Sequence, residues 1–260
     1  MRQLEERLQI KLLERTTRSV STTAAGEQLR EQITPLFAEI DAKIENLAAY
    51  RGTLGGSLKI TGNEHAFAVA LWDKFARFAR AYPEVALEWG SQNRFADIVA
   101  ERFDAGIRLS EFVEKDMIVV RISPDLQMAA VAAPELLSRI DMPETPHDLA
   151  TLPCLNLRLP TLGNTLPWEF SNPASGKTVK IQPAPGFTAN QNSLLLQAAR
   201  SGVGIAWLPR DMVAEDLRSN RLHEILSDWA IRYEGYYLYY PSRCAESPIF
   251  RALIAELCES

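Results

Sequence analysis

From residue 57 to the end of the chain, short apolar, β-branched runs alternate with amphipathic stretches, and this alternation constrains the fold more than any other feature. LKIT at 58–61 reads as a strand and 66–82 as a helix. VALEW at 85–89 is a strand, 95–101 a helical stretch, and DAGIR at 104–108 a short buried strand. MIVVRI, QMAAVA, a helix from Pro134, CLNLR, TVKIQP and GFTA continue the series. A helix at 193–201 leads into GIAWLP, a helix spans 210–218, YYLYYP forms a strand, and a helix at 247–258 closes the chain. Repeated units of this kind predict an α/β architecture with mostly parallel sheets, because parallel neighbours need a helical crossover between them. About 200 residues of such units can form one sheet or two.

The segment before residue 57 follows a different pattern. Residues 2–9 read as helix, with Leu4 and Leu8 one turn apart. The hydroxyl and β-branched residues of 15–23 predict a two-stranded ribbon. Thr23 is placed to cap a helix running to about residue 50. Leu29, Ile33, Leu36, Ile40 and Leu47 form its apolar stripe, with Lys43 interrupting the seam and Pro35 expected to kink it. Such a stripe has to be buried, either on a second copy of the chain or on the same chain. Gly52, Gly55 and Gly56 mark a linker.

Charge sharpens the division. Within residues 1–26, Arg2, Arg7, Lys11, Arg15 and Arg18 outnumber Glu5, Glu6 and Glu14 by two, although the whole chain carries −5. A basic head on an acidic body fits a polyanion partner for the head alone. Cys154, Cys244 and Cys258 form no CxxC pair, so neither a disulfide framework nor a structural zinc site is expected. No apolar run reaches the roughly 20 residues of a membrane span. The charged start MRQLEERLQI has no signal-peptide core, so a cytoplasmic protein without a membrane partner is expected.

The run RQLEERLQIKLLERTTRSVSTTAAGEQL resembles the end of the recognition helix and the wing of a LysR-type winged helix-turn-helix. The matching residues are Arg2, Leu4, Glu5, Leu8, Leu12, Arg15, Arg18, Thr23, Ala25 and Gly26; Leu13 and Thr22 depart from the usual Phe and Leu. ARAYPEVALE, FDAGIRLS, SGVGIAWLP and YYPSRCAESPIFRALIAEL are similar to the effector-binding domain of the same family. The resemblance implies an α/β, two-lobed, type 2 periplasmic-binding-protein-like effector domain, preceded by a linker helix and a partial winged helix-turn-helix. It implies a winged-helix remnant at 1–26, a dimerisation helix at 27–51 and an effector domain at 58–260. Lobe I then takes 58–125 and 235–260, lobe II takes 126–234, and the chain crosses between them near 123–127 and 232–236.

The resemblance further implies operator DNA, a small-molecule effector, RNA polymerase and homodimers or homotetramers as partners, with no cofactor. Family members begin with two helices and the start of the recognition helix, whereas Met1 falls partway along that helix. Base-reading positions are therefore expected upstream of Met1, either because the start is placed too far downstream or because the chain is a sensor that pairs with intact copies. What is present offers DNA phosphate contacts from Arg2, Gln3, Arg15, Thr17 and Arg18, which position a protein without reading sequence. Leu4, Leu8, Ile10, Leu12 and Leu13 would lack packing partners, so residues 1–22 are expected to be mobile or to adhere to a neighbouring chain.

Ligands of two-lobed domains gather at strand C-termini and helix N-termini. Four positions qualify: Asn63, Glu64 and His65 after LKIT; Arg108 and Ser110 after DAGI; Thr188, Asn190 and Asn192 after GF; and Gly204 with Ile205. Arg108 either grips an effector carboxylate or pairs with Asp104 or Glu111. Glu64 and His65 either select a basic or hydroxylated effector or pair with Arg108 in an empty cleft. Asn190 and Asn192 are either ligand contacts or turn and cap residues.

No G-x-S-x-G, HExxH, P-loop or complete G-x-G-x-x-G is present, and His65, His147 and His223 are widely spaced, so no catalytic residue or metal site is assigned. A solute-binding protein shares the implied fold, but the wing motif and the absence of a signal-peptide core count against it. A ligand-binding, dimerising fragment without specific DNA binding is the other alternative.

Overall fold

The computed structural model describes residues 2–15, 20–48, 55–91, 98, 101, 103–109, 117–159, 164–184 and 186–259. Helix α1 (Arg2–Leu8) precedes an antiparallel ribbon of β1 (Leu13–Arg15) and β2 (Val20–Thr22), then the long helix α2 (Ala24–Ala48). The Thr23 hydroxyl accepts the Gly26 N–H at 3.0 Å and donates to the Lys11 carbonyl at 2.7 Å, so it caps α2 and ties it to the ribbon. Glu5 accepts the Leu12 and Leu13 N–H groups at 2.9 and 3.0 Å. A Cβ on Gly26 would lie 2.0 Å from the Leu12 carbonyl oxygen, so only glycine fits there. Leu12 is buried, while Leu4, Leu8 and Ile10 on the α1 side and Leu36, Phe37 and Ile40 on α2 are exposed.

The first large sheet begins with β3 (Gly56–Gly62). A π-helical turn at Ala66–Ala70 and helix α3 (Trp72–Ala81) lead to β4 (Val85–Ser91), β5 (Ala105–Leu109) and β6 (Met117–Arg121). The chain then passes to a second sheet with β7 (Leu126–Ala132), followed by α4 (Pro134–Leu137) and β8 (Asn156–Leu157). A hairpin of β9 (Trp168–Ser171) and β10 (Thr178–Ile181) precedes β11 (Thr188–Ala189), which pairs in parallel with β8. Next come α5 (Asn192–Arg200), β12 (Ala206–Pro209), α6 (Ala214–Arg218), β13 (His223–Ile225) and β14 (Arg232–Tyr233). The chain returns to the first sheet as β15 (Tyr236–Pro241) and ends with α7 (Pro248–Cys258). The first sheet has strand order β4-β3-β5-β15-β6; the second has β12-β7-β13, with β14 also on β7.

The expectation of mostly parallel sheets is corrected. Only β4 and β5 lie parallel to β3 in the first sheet, and β15 runs antiparallel to both β5 and β6. In the second sheet β7 is antiparallel to β12, β13 and β14. The reason is topological. A parallel neighbour requires a crossover of a dozen or more residues, but β15 arrives directly from the other sheet through residues 234–235. Burial pattern reveals faces, not direction. Three shorter differences follow from backbone geometry. The helix expected over 66–82 is split at Leu71 (φ −123°, ψ 2°), where the Leu71 N–H bonds Ala66 rather than the residue four back. The helix expected over 210–218 begins at Ala214, because turns follow Pro209. Strands β9, β13 and β14 were not foreseen, being two to four residues long.

The two crossing segments touch. The Ile122 N–H bonds the Tyr236 carbonyl at 2.9 Å, and the Tyr236 N–H bonds the Ser123 hydroxyl at 2.7 Å. A Cβ on Gly235 would lie 2.1 Å from the Pro124 carbonyl oxygen, so glycine is required for this approach. Beneath the first sheet, Leu58, Ile60, Ile107 and Leu238 pack with Phe75, Phe78, Leu253 and Leu257 from α3 and α7. In the second, Val131, Ala206 and Leu208 pack with Leu195, Ala199, Val213 and Leu222.

Asp216, on α6, is fully buried. It takes a bidentate bond from Arg200 (2.8 and 2.7 Å) and an ion pair from Arg221 (3.1 Å). Both arginines are partly exposed and would resolvate if released. Asp216→Asn should therefore cost about 2 kcal/mol in chemical denaturation, the scale of a hydrogen bond to a charged group. A cost below roughly 0.5 kcal/mol would show that the cluster behaves as a surface pair.

Candidate functional site

The C-terminal end of β3 carries the turn Asn63–Glu64–His65, and this turn reaches across to the second sheet. Asn63 Oδ1 accepts the Ala66 N–H at 2.7 Å, which fixes the amide and leaves Asn63 Nδ2 to donate to the Tyr236 hydroxyl at 3.2 Å. The Tyr236 hydroxyl lies 2.9 Å from His65 Nδ1, and His65 Nε2 lies 2.7 Å from Asp211 Oδ1. Asn63 Nδ2 donates to the tyrosine oxygen, and His65 Nε2–H donates to the Asp211 carboxylate. The imidazole is 1% exposed.

Burial on its own would push the Asp211 carboxyl up. The His65 hydrogen bond and charge, with the Met212 N–H at 2.8 Å, outweigh that and hold it below its usual 3.8. Burial raises the Tyr236 phenol well above its ordinary range, so it remains a donor.

Glu64 also bridges the sheets. Its Oε2 accepts the Ser193 N–H, at 3.5 Å, in the first turn of α5. A carboxylate there offsets one of the free N–H groups of the helix and complements its dipole. Asn192, read as a possible cap, is instead the first residue of α5; Gln191 holds the cap position without a side-chain bond. The expected pairing of Glu64 and His65 with Arg108 is likewise replaced, because His65 bonds Asp211, just past β12, and Glu64 bonds Ser193 on α5.

Arg108 is largely buried, and burial lowers its guanidinium below the usual value, with Tyr239 and Tyr236 opposing that shift. Its Nη1 donates to the Ile107 carbonyl at 3.1 Å. Asp104, offered as its partner, accepts the Lys59 N–H at 2.7 Å, and burial raises its carboxyl. The Thr188 hydroxyl donates to the Gly186 carbonyl at 3.1 Å, and Asn190 is exposed between β11 and α5.

Gly204 does permit a close approach, but by the chain itself: a Cβ there would lie 2.9 Å from the Pro153 carbonyl oxygen. Ile205 is fully buried and exchanges backbone bonds of 2.8 Å with Pro153 and Leu155. Ser110 and Glu111 lie outside the described residues, as do Thr17 and Arg18. Arg2 and Gln3 lie in α1 and Arg15 ends β1.

Tyr236 and Asp211 were missed in the sequence. The available signal for Asp211 was its place just past β12, where a carboxylate follows a strand C-terminus. Among the described residues no group of three or more His, Cys, Asp or Glu could hold a metal ion, and no helix is long and apolar enough to cross a membrane.

A mixed sheet and an antiparallel sheet joined by adjacent crossings, with turns of both meeting at a buried polar seam, define a two-lobed binding domain. The chain belongs to the LysR family of transcriptional regulators. The family model for the LysR substrate binding domain matches residues 51–260. A putative transcriptional regulator of Pseudomonas aeruginosa is 40% identical over 254 residues, covering 98% of this chain and 82% of that protein. The Escherichia coli HTH-type transcriptional regulator PgrR is 35% identical over 257 residues, covering 99% and 85%. The full-length structure of the Vibrio cholerae virulence activator AphB shares the fold, with a TM-score of 0.71 and 24% identity over 98% of this chain and 86% of that one.

The depressed Asp211 carboxyl has a testable consequence. Its contribution to stability is full above its unfolded value, near 3.8, and is lost as pH falls through the lower folded-state value. The difference in melting temperature between the natural chain and Asp211→Asn should be constant above about pH 5 and shrink below about pH 4. A difference that stays constant down to about pH 2 would contradict the assignment.

Proposed function

We propose that this chain is a ligand-responsive, DNA-binding regulator of transcription that works in the cytoplasm as a homodimer or homotetramer and catalyses no reaction. The observation that carries the reading is the meeting of the Asn63–His65 turn, at the C-terminal end of β3, with Asp211 and the first turn of α5. Small-molecule effectors of two-lobed domains lie in such a seam, close to strand C-termini and helix N-termini. The effector domain spans 58–260, with lobe I at 58–125 and 235–260 and lobe II at 126–234. Asn63, Glu64, His65, Arg108, Ser110, Thr188 and Asn190 face the effector, Asn192 starts the adjoining helix, and Gly204 and Ile205 support the wall behind it.

The 27–51 helix joins two copies, consistent with exposed Leu36, Phe37 and Ile40 on α2. Residues 1–26 belong to the winged DNA-binding unit, where Arg2, Gln3, Arg15, Thr17 and Arg18 contact phosphates. RNA polymerase is the further partner through which promoter output changes.

Two experiments test the reading. A thermal-shift screen of the full chain against amines, polyols and organic acids should yield a ligand that stabilises it by about 2.7 kcal/mol at a hundredfold excess over Kd. Asn63→Ala should weaken that ligand about tenfold, the value of one hydrogen bond of roughly 1.4 kcal/mol. A ligand whose affinity ignores Asn63 would place the site elsewhere. On duplex DNA, Arg15→Ala and Arg18→Ala should each reduce the slope of log affinity against log salt by about 0.9. They should act equally on all sequences, and unchanged slopes would remove the wing from the interface.

A further inference from the structure

We propose that His65 is a positioning residue that latches the two lobes together, so that the ligand-free domain rests closed and an effector acts by replacing the latch. Only the clause on the effector depends on the proposed function. The latch itself follows from where the imidazole's partners sit. His65 stands on the turn after β3 in the first lobe. Its Nδ1 is held by Tyr236, the first residue of the returning strand β15, and its Nε2 by Asp211, just past β12 in the second lobe. A histidine that merely filled a core would find both partners on its own side.

The two ends of the latch differ in access. The imidazole side chain is 1% exposed, whereas that of Asp211 is 46% exposed. The buried end is anchored by the Asn63–Tyr236 pair, which keeps Nε2–H aimed outward. The outer end can be reached from solvent. When His65 lets go, the Met212 N–H still holds Asp211 Oδ1, so the carboxylate keeps its place. Glu64 adds the second bond of the latch at Ser193, on the neighbouring residue of the same turn. A ligand that occupies the seam competes with an N–H donor at Asp211 and with a carboxylate acceptor at α5. Breaking the first bond strands a buried donor unless the ligand supplies an acceptor, and that requirement couples ligand chemistry to lobe position.

Amide hydrogen exchange of the full chain, measured without ligand, tests the latch. His65→Ala and Asp211→Ala should each raise exchange at residues 193–195 and 63–66 about tenfold, while amides of β7 and β12 keep their protection. His65→Gln keeps an N–H donor and adds a carbonyl acceptor on one side chain, and should restore most of the protection. Asp211→Ala alters a half-exposed side chain and carries the test if His65→Ala does not fold. Unchanged exchange at 193–195 in Asp211→Ala would overturn the latch. So would a uniform rise that includes β7 and β12, since that would make His65 an ordinary core residue. Either failure leaves the effector reading standing, because that reading is tested by ligand-induced stabilisation.

Discussion

The close passage of the two crossing segments governs the rest of the structure. Gly235 lies against the Ser123 and Pro124 carbonyls so tightly that no side chain fits, and the Tyr236 and Ile122 backbones bond across the gap. This contact fixes where the second sheet sits relative to the first. It also delivers Tyr236 to the seam, where the phenol meets His65 and Asn63. The candidate cluster is thus built where the chain crosses between the two sheets.

The seam inverts a common arrangement. A helix N-terminus facing a cleft attracts an anionic ligand, yet here the chain supplies its own carboxylate, Glu64, to α5. Asp211 adds a second carboxylate, kept ionised by His65 and the Met212 N–H. The polar groups of the seam therefore bond one another.

Much of the fold was legible in the sequence because local rules decided it. Thr23 capped α2 as its hydroxyl and position demanded, and the ribbon before it paired Leu13–Arg15 with Val20–Thr22. LKIT, VALEW, MIVVRI and YYLYYP all became strands of one sheet. Strand direction was not legible, because alternation records which face is buried and is blind to whether a neighbour arrives from a helix or from another sheet. The turn at 63–65 stands out in the sequence as a polar turn after a strand, but its partners do not: Asp211 lies 146 residues from His65 and Tyr236 171. No local pattern pairs residues at that separation. At Gly204 and Asn192 the local property, close approach and helix entry, serves the chain's own packing.

His65 and Asp211 hold one another across the seam, and a double-mutant cycle on unfolding free energy tests that contact most directly. With His65→Ala, Asp211→Ala and the double variant, the cycle should return a coupling of about 1.5–3 kcal/mol, the value of a hydrogen bond to a charged group. Effects that add to within about 0.5 kcal/mol would mean that the two residues act independently, and the account of the seam would fail.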